Sequence, residues 1–403
     1  MGDVALSPLP SPTLVLRFAD VGVATYASLR VIGDPSQTIT WVIEEAVIRD
    51  ALDELSGALP EPAPGESIAE AVDRALTAGP LAALETEGAL AQRLGTALLS
   101  DPAWELLLRY VSSSRAVLFI SPSARLARVP WGLLAVQGSE LHRLLEAVDV
   151  LMAVPPNIVN APRPRTGWAQ RHTRPPLLIL DPRVPGQRAD STLGSVLGRP
   201  SSDATLARHF ADVIARQRVL PHVSIATELF RRTDADRDWL AAMLADHPSR
   251  LLYVGHASAA EGRADQACLH LAEGTPLTAA TIMSRRMPMP PRVALLACAS
   301  GGDYRFDEAT GLVAAMILSG AELVTATLWS LPTTAGYRQF AGGTADPMAD
   351  LVTAVDRAHG EDEGGCAVNR WQRERMRQWR SGDATASPLY WAALVTFAVD
   401  GAR

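Results

Sequence analysis

Two short apolar runs, each ending in a reactive side chain, constrain this chain more than any other feature. The first is LLYVGHA, residues 251–257, which closes on His256; the second is VALLACAS, residues 293–300, which closes on Cys298. Each has the length of a buried strand and breaks at once into small and polar residues. Around them, helical spacing alternates with strand-like runs. RAVLFIS, VDVLMAV, PPLLIL and HVSIAT read as strands, with helices over 204–218 and 236–246 and a short strand at CLHLA before a helix beyond Pro276. Strand–helix alternation predicts an α/β fold with a mainly parallel sheet covered by helices on both faces. In such sheets chemistry gathers beyond the carboxyl ends of the strands. If the two runs are neighbours, His256 and Cys298 meet at that edge, and a thiol beside an imidazole is the minimum needed for covalent attack on a carbonyl.

Upstream, the chain has a different texture. LVLRFAD, GVATYASLRV and TITWVI read as a hairpin-linked meander, followed by a helix over 44–59 and two or three more between Ser67 and Tyr110. Residues 1–111 are therefore read as an N-terminal β-hairpin and helical module without a catalytic cluster, and 112–403 as the α/β domain. The stretch 157–176, rich in Pro and Arg, reads as a surface loop. The tail, 347–381, reads as two helices, the second with an Arg-rich solvated face that doubles as a candidate partner surface.

Bulk properties exclude several classes. A net charge of −7 argues against direct nucleic-acid binding. Three cysteines, Cys268, Cys298 and Cys366, make no disulfide framework and fit a reducing, cytoplasmic setting. The first residues carry no signal-type run, and no stretch approaches the ~18 apolar residues of a membrane span. No cysteine or histidine spacing suits a metal, and none of the Gly-Gly pairs has the Lys-Ser/Thr that follows in a phosphate loop, so neither metal nor cofactor is expected.

Four blocks in order carry a family resemblance. They are LARVPWGLLA (126–135), RVALLACASGG (292–302), GLVAAMILSGAELVTATLWSLP (311–332) and SPLYWAALVTFAVDG (387–401). Together with the His256–Cys298 order they resemble the CHAT family of caspase-like cysteine peptidases, over about residues 112–401. The resemblance implies a caspase-like sheet flanked by helices and a cysteine endopeptidase acting on a protein or peptide substrate. Cys298 is then the nucleophile and His256 the general base, with an oxyanion hole formed by the backbone amides of Cys298 and Ala257. It further implies silence until a regulatory protein partner or signal orders the loops, in a bacterial stress or defence pathway. The chain departs from the family at Ala257, where glycine is usual after the histidine, at Ala299 and Ser300, where an acid is frequent, and at Thr333 and Thr334, where the pair is usually acidic. The first departure bears on the oxyanion hole, and Gly255 is a candidate source of the backbone freedom that Ala257 lacks. The others bear on specificity or loop shape.

Each assignment has a plainer competitor. A cysteine ending an apolar strand is ordinarily inert core, and a strand histidine is ordinarily satisfied by a carbonyl. His270, mid-strand, is the runner-up base. Asp303 is a candidate substrate-binding residue that would favour a basic side chain, whereas Asp307 and Glu308 suit the first turn of a helix. Trp329 is either the floor of a substrate groove or core. A catalytically silent scaffold of the same fold, and acyl transfer to an acceptor other than water, are the competing functions.

Overall fold

In the computed structural model of this chain, the structure describes residues 12–110, 116–136, 143–188, 191, 193–198, 201–258, 264–297 and 311–403. Ten strands form one sheet: β1 (Thr13–Asp20), β2 (Ala24–Val31), β3 (Asp34–Glu44), β4 (Val117–Ser121), β5 (Asp149–Ala153), β6 (Leu177–Leu180), β7 (Arg250–Val254), β11 (Arg292–Leu296), β12 (Leu323–Thr327) and β13 (Leu394–Ala398). Their spatial order is β3-β2-β1-β4-β5-β13-β12-β11-β7-β6. Strands β8 (His256–Ser258), β9 (Cys268–His270) and β10 (Leu277–Thr278) make a separate small antiparallel sheet.

The sheet is mainly parallel. β6, β7, β11 and β12 run together, as do β13, β5, β4 and β1, and the two blocks meet at the antiparallel β12–β13 pair. Burial follows sequence pattern. β6, β7, β11, β12 and β13 are unbroken apolar-rich runs, buried at every position, as strands covered by helices on both faces must be. β1 and β2 alternate buried and more exposed positions, so helices cover one face only, and β3 is an exposed edge.

The N-terminal hairpins extend this same sheet, because β1 lies parallel to β4. The side chains of Glu87 and Arg143, both buried, add an ion pair between the N-terminal helix Leu84–Leu98 and the segment before β5. The boundary placed near residue 111 falls outside the described residues.

Three local expectations need correction. HVSIAT is not a strand: on the side of β6 away from β7, the described residues make single bridges at Leu220 and Phe230, with a short 3-10 turn at Ala226–Leu229 between them. Residues 157–176 are more than a surface loop, since the buried Arg163 side chain pairs with Asp400 and Trp168 stacks on the Arg292 guanidinium at 3.7 Å. The helix Gly364–Arg380 is not solvated along its whole arginine run, because Arg373 is buried against Asp149 at 2.6 Å. Chain composition alone cannot distinguish an arginine facing water from one facing a buried aspartate brought in from far along the sequence.

Candidate active site

The site is built where β7 and β11 end. Val254 is in register with Leu296, and the Gly255 N–H donates to the Leu296 carbonyl at 3.3 Å. His256 stands two residues beyond Val254, as Cys298 stands two residues beyond Leu296 in the sequence. Cys298 itself, with Ala299, Ser300, Asp303, Asp307 and Glu308, lies outside the described residues. The approach to it is held from β12, where the Thr327 hydroxyl donates to the Ala297 carbonyl.

His256 is 9 % exposed, and its Nε2 lies 2.9 Å from the Gly194 carbonyl oxygen. A carbonyl only accepts, so Nε2 carries the hydrogen and, in the neutral ring, Nδ1 keeps its lone pair. The imidazole is thereby committed to one tautomer, with its basic nitrogen turned away from Gly194. The carbonyl that does this belongs to a loop tied to the end of β6. Asp181, fully buried, accepts from Ser195 Oγ at 2.6 Å and from the Val196 and Leu197 amides at 3.1 and 3.4 Å.

Below His256, Tyr253 fixes the backbone. Its hydroxyl lies 2.8 Å from both the His256 and His270 carbonyl oxygens and presents its one hydrogen between them. Gly255 is required by this phenol: a Cβ built there would sit 2.8 Å from the Tyr253 hydroxyl oxygen and 2.9 Å from Cζ. Its φ is not positive, so its glycine serves close approach, not conformational freedom. Ala257 likewise has no positive φ; it lies in β8 opposite Leu269, where a methyl is unstrained.

His270 faces His256 across the small sheet, and its Nε2 shares a 2.7 Å hydrogen bond with Ser258 Oγ. Burial, and secondarily the nearby His256, lower its pKa. Trp329 is core: it is fully buried, and its Nε1–H donates to the Leu389 carbonyl at 2.9 Å, so no face of the indole is open to a groove. Thr333 and Thr334 serve the following helix. Thr333 caps it through the Gly336 amide, and Thr334 donates to Asp346. Both cysteines among the described residues are buried. Burial pushes the Cys268 thiol up, and burial with Asp149 and Glu363 pushes Cys366 up to about 12, which suits neither to attack.

The CHAT-domain family model matches residues 88–399 of the 403. The chain belongs to the CHAT family. No curated protein is similar enough to this CHAT chain to count as a match. Among solved structures, the separase–securin complex of Saccharomyces cerevisiae is similar at 11% sequence identity and a TM-score of 0.50, over 96% of this chain and 30% of that one. A second structure of the same complex gives 10% and 0.49, with the same coverage. The CHAT chain thus spans less than a third of the length of the structures it matches, and at this identity the likeness is one of fold. The fold is the caspase-like one, a mainly parallel ten-stranded sheet with flanking helices.

Sequence reading missed Gly194, Asp181, Thr327 and Tyr253. Asp181 had a partial signal, an Asp-Pro step closing an apolar strand. The other three had none: Gly194 and Thr327 act on partners 62 and 30 residues away, and the Tyr253 hydroxyl acts on backbone carbonyls, which carry no residue type. Among the described residues no three His, Cys, Asp or Glu side chains converge in a way that would hold a metal.

Proposed function

We propose that this CHAT protein is a cysteine endopeptidase using Cys298 and His256. The observation that carries the reading is the orientation of His256: with Nε2–H given to Gly194, its Nδ1 lone pair is left for a thiol at the end of the adjacent, in-register strand. Neighbouring strands are about 4.8 Å apart, a separation that side chains at their ends can close. In the reaction, His256 takes the Cys298 proton as sulfur adds to the peptide carbonyl, and the oxyanion is met by the amides of Cys298 and Ala257. The C–N bond then breaks and His256 returns the proton to the departing amine. Water adds to the thioester with the same histidine as base, expelling the thiolate and releasing the acid. The chemistry needs no cofactor.

Ala257, in place of the glycine usual in the family, supports the competing reading of a silent scaffold. Its unstrained strand conformation weakens that support, since the residue still has a backbone N–H to offer. We further propose that the substrate is an extended protein segment, that Asp303 favours a basic residue at the cleaved bond, and that a regulatory protein partner or signal in a bacterial stress or defence pathway switches the enzyme on in the cytoplasm. Among the described residues no helix is long and apolar enough to cross a membrane.

The test offers the protein a peptide library and a thiol-directed acyloxymethyl ketone. The expected result is a cut pattern lost in Cys298→Ala, with labelling of Cys298 ahead of Cys268 and Cys366 and at least ~10-fold slower in His256→Ala. Equal labelling of Cys298 with and without His256 would remove the dyad.

A further inference from the structure

We propose that Asp181 is a positioning residue for His256, acting through Arg231 and the Gly194 loop. The inference rests on reading His256 as the general base. Among the described residues, the side-chain partners of Asp181 are Ser195, Val196, Leu197 and Arg231, and His256 is not one of them. What it does is hold the carbonyl that sets the imidazole tautomer.

The geometry points this way from three directions. First, a fully buried carboxylate is costly unless every lone pair is used and its charge is balanced. Asp181 accepts from four groups, and three of them (Ser195 Oγ and the Val196 and Leu197 amides) belong to the residues directly after Gly194. Second, the fourth donor is Arg231, whose Nη1 gives one hydrogen to Asp181 Oδ1 at 3.2 Å and the other to the Gly194 carbonyl at 3.3 Å. The carbonyl therefore lies between His256 Nε2 on one side and the Asp181–Arg231 pair on the other. Third, both members of that pair hold left-handed backbone conformations, φ 52° at Asp181 and φ 53° at Arg231. A positive φ is uncommon and unfavourable for a non-glycine residue. Backbone bonds on either side maintain it: Asp181 N–H donates to the Val254 carbonyl at 2.6 Å and Arg231 N–H to the Leu180 carbonyl at 3.1 Å. Val254 is the last residue of β7, two before His256. The same aspartate thus links the strand that bears the histidine to the loop that orients its ring.

Removing the charge while keeping the shape should free the loop. In Asp181→Asn the amide end brings donors where Ser195, the two backbone amides or Arg231 need an acceptor, so at least one bond is lost and Gly194 is no longer fixed. The experiment uses the full chain labelled with 15N-histidine, and His256→Gln identifies the His256 signals. The wild type should show a single Nε2–H tautomer for His256. Asp181→Asn should show both tautomers in exchange, and Cys298 alkylation should slow about 10- to 100-fold, the cost of a misplaced base. Ser195→Ala, which deletes one donor and leaves the carboxylate, is the second variant if Asp181→Asn does not fold; it should shift the tautomer the same way, with a smaller loss of alkylation rate.

A carboxylate that only stabilises the fold would lower the unfolding midpoint and leave the tautomer single. An unchanged His256 tautomer in whichever of the two variants fold overturns the proposal, whatever the rates. If the tautomer becomes mixed but the wild type cleaves no peptide, the positioning role stands and the peptidase reading is the one that fails. If the wild type cleaves and the tautomer stays single, the peptidase reading stands and the positioning role fails.

Discussion

Replacing Gly255 with alanine tests whether close packing beneath the site holds His256 in place. The new Cβ would lie 2.8 Å from the Tyr253 hydroxyl oxygen, 2.9 Å from Cζ and 3.3 Å from Pro182 Cδ. Tyr253 has no exposed surface into which to retreat, and its hydroxyl is engaged by the His256 and His270 carbonyls. Relieving the overlap by shifting packed groups costs about 1–3 kcal/mol. If the phenol gives way, a buried carbonyl loses its donor, which costs about 1–3 kcal/mol more. We expect a total of about 2–6 kcal/mol, read by urea unfolding. At about 2.1 cal/mol/K per residue over 403 residues, the unfolding entropy is about 0.85 kcal/mol/K, so Tm falls by only about 2–7 °C. The functional signature should be larger. A displacement of His256 by about 1 Å slows Cys298 alkylation about 100-fold. Tyr253→Phe supplies the control: it removes the 2.8 Å contact and leaves the one to Cζ, so the double variant should cost less than the sum of the singles by about 1 kcal/mol. Gly255→Ala that unfolds within 0.5 kcal/mol of wild type and alkylates normally would refute the argument.

Other outcomes follow from the same geometry. His359 is fully enclosed, with Nε2 2.7 Å from Thr325 Oγ1, and burial, then Arg292 and Arg250, lower its pKa to about 3. The folded state holds it neutral while the unfolded chain takes up a proton below pH ~6.5. Its contribution is therefore present above that pH and is lost as pH falls toward 3. His359→Gln should reduce the slope of unfolding free energy against pH, measured between pH 4 and 6, by about 1.4 kcal/mol per pH unit; an unchanged slope would show that His359 is charged in the fold. Trp329→Ala should cost about 3–5 kcal/mol in urea unfolding as a core deletion, and a stable variant with altered peptide selectivity would instead return Trp329 to the substrate groove. Glu87→Ala leaves the buried Arg143 guanidinium without its carboxylate. It should destabilise by about 3–5 kcal/mol in urea unfolding, and a loss below 1 kcal/mol would mean that water reaches the pair.

What was legible in the sequence was periodic or local. The apolar-rich runs at 177–180, 251–254, 293–296 and 323–327 carry the length and composition of strands buried on both faces, and the alternation in 13–20 and 24–31 that of half-covered ones. The short HVSIAT run misled because two alternating apolar residues, Val223 and Ile225, suit a strand, whereas here Val223 and Ala226 pack inward from a turn and Ile225 is exposed. Ala257 was legible as a residue but not as a conformation. The family resemblance implied a glycine after the histidine, whereas pairing with Leu269 draws Ala257 into a strand.

The sequence by itself determined the fold class and the family, because these depend on residue type and spacing along one continuous chain. Only the tertiary structure decided that Val254 and Leu296 lie in register, that Trp329 is core, and that the Gly194 carbonyl selects the His256 tautomer. The reason is physical: a strand's pattern records burial, whereas a hydrogen bond across 62 residues leaves no trace in the spacing of either partner.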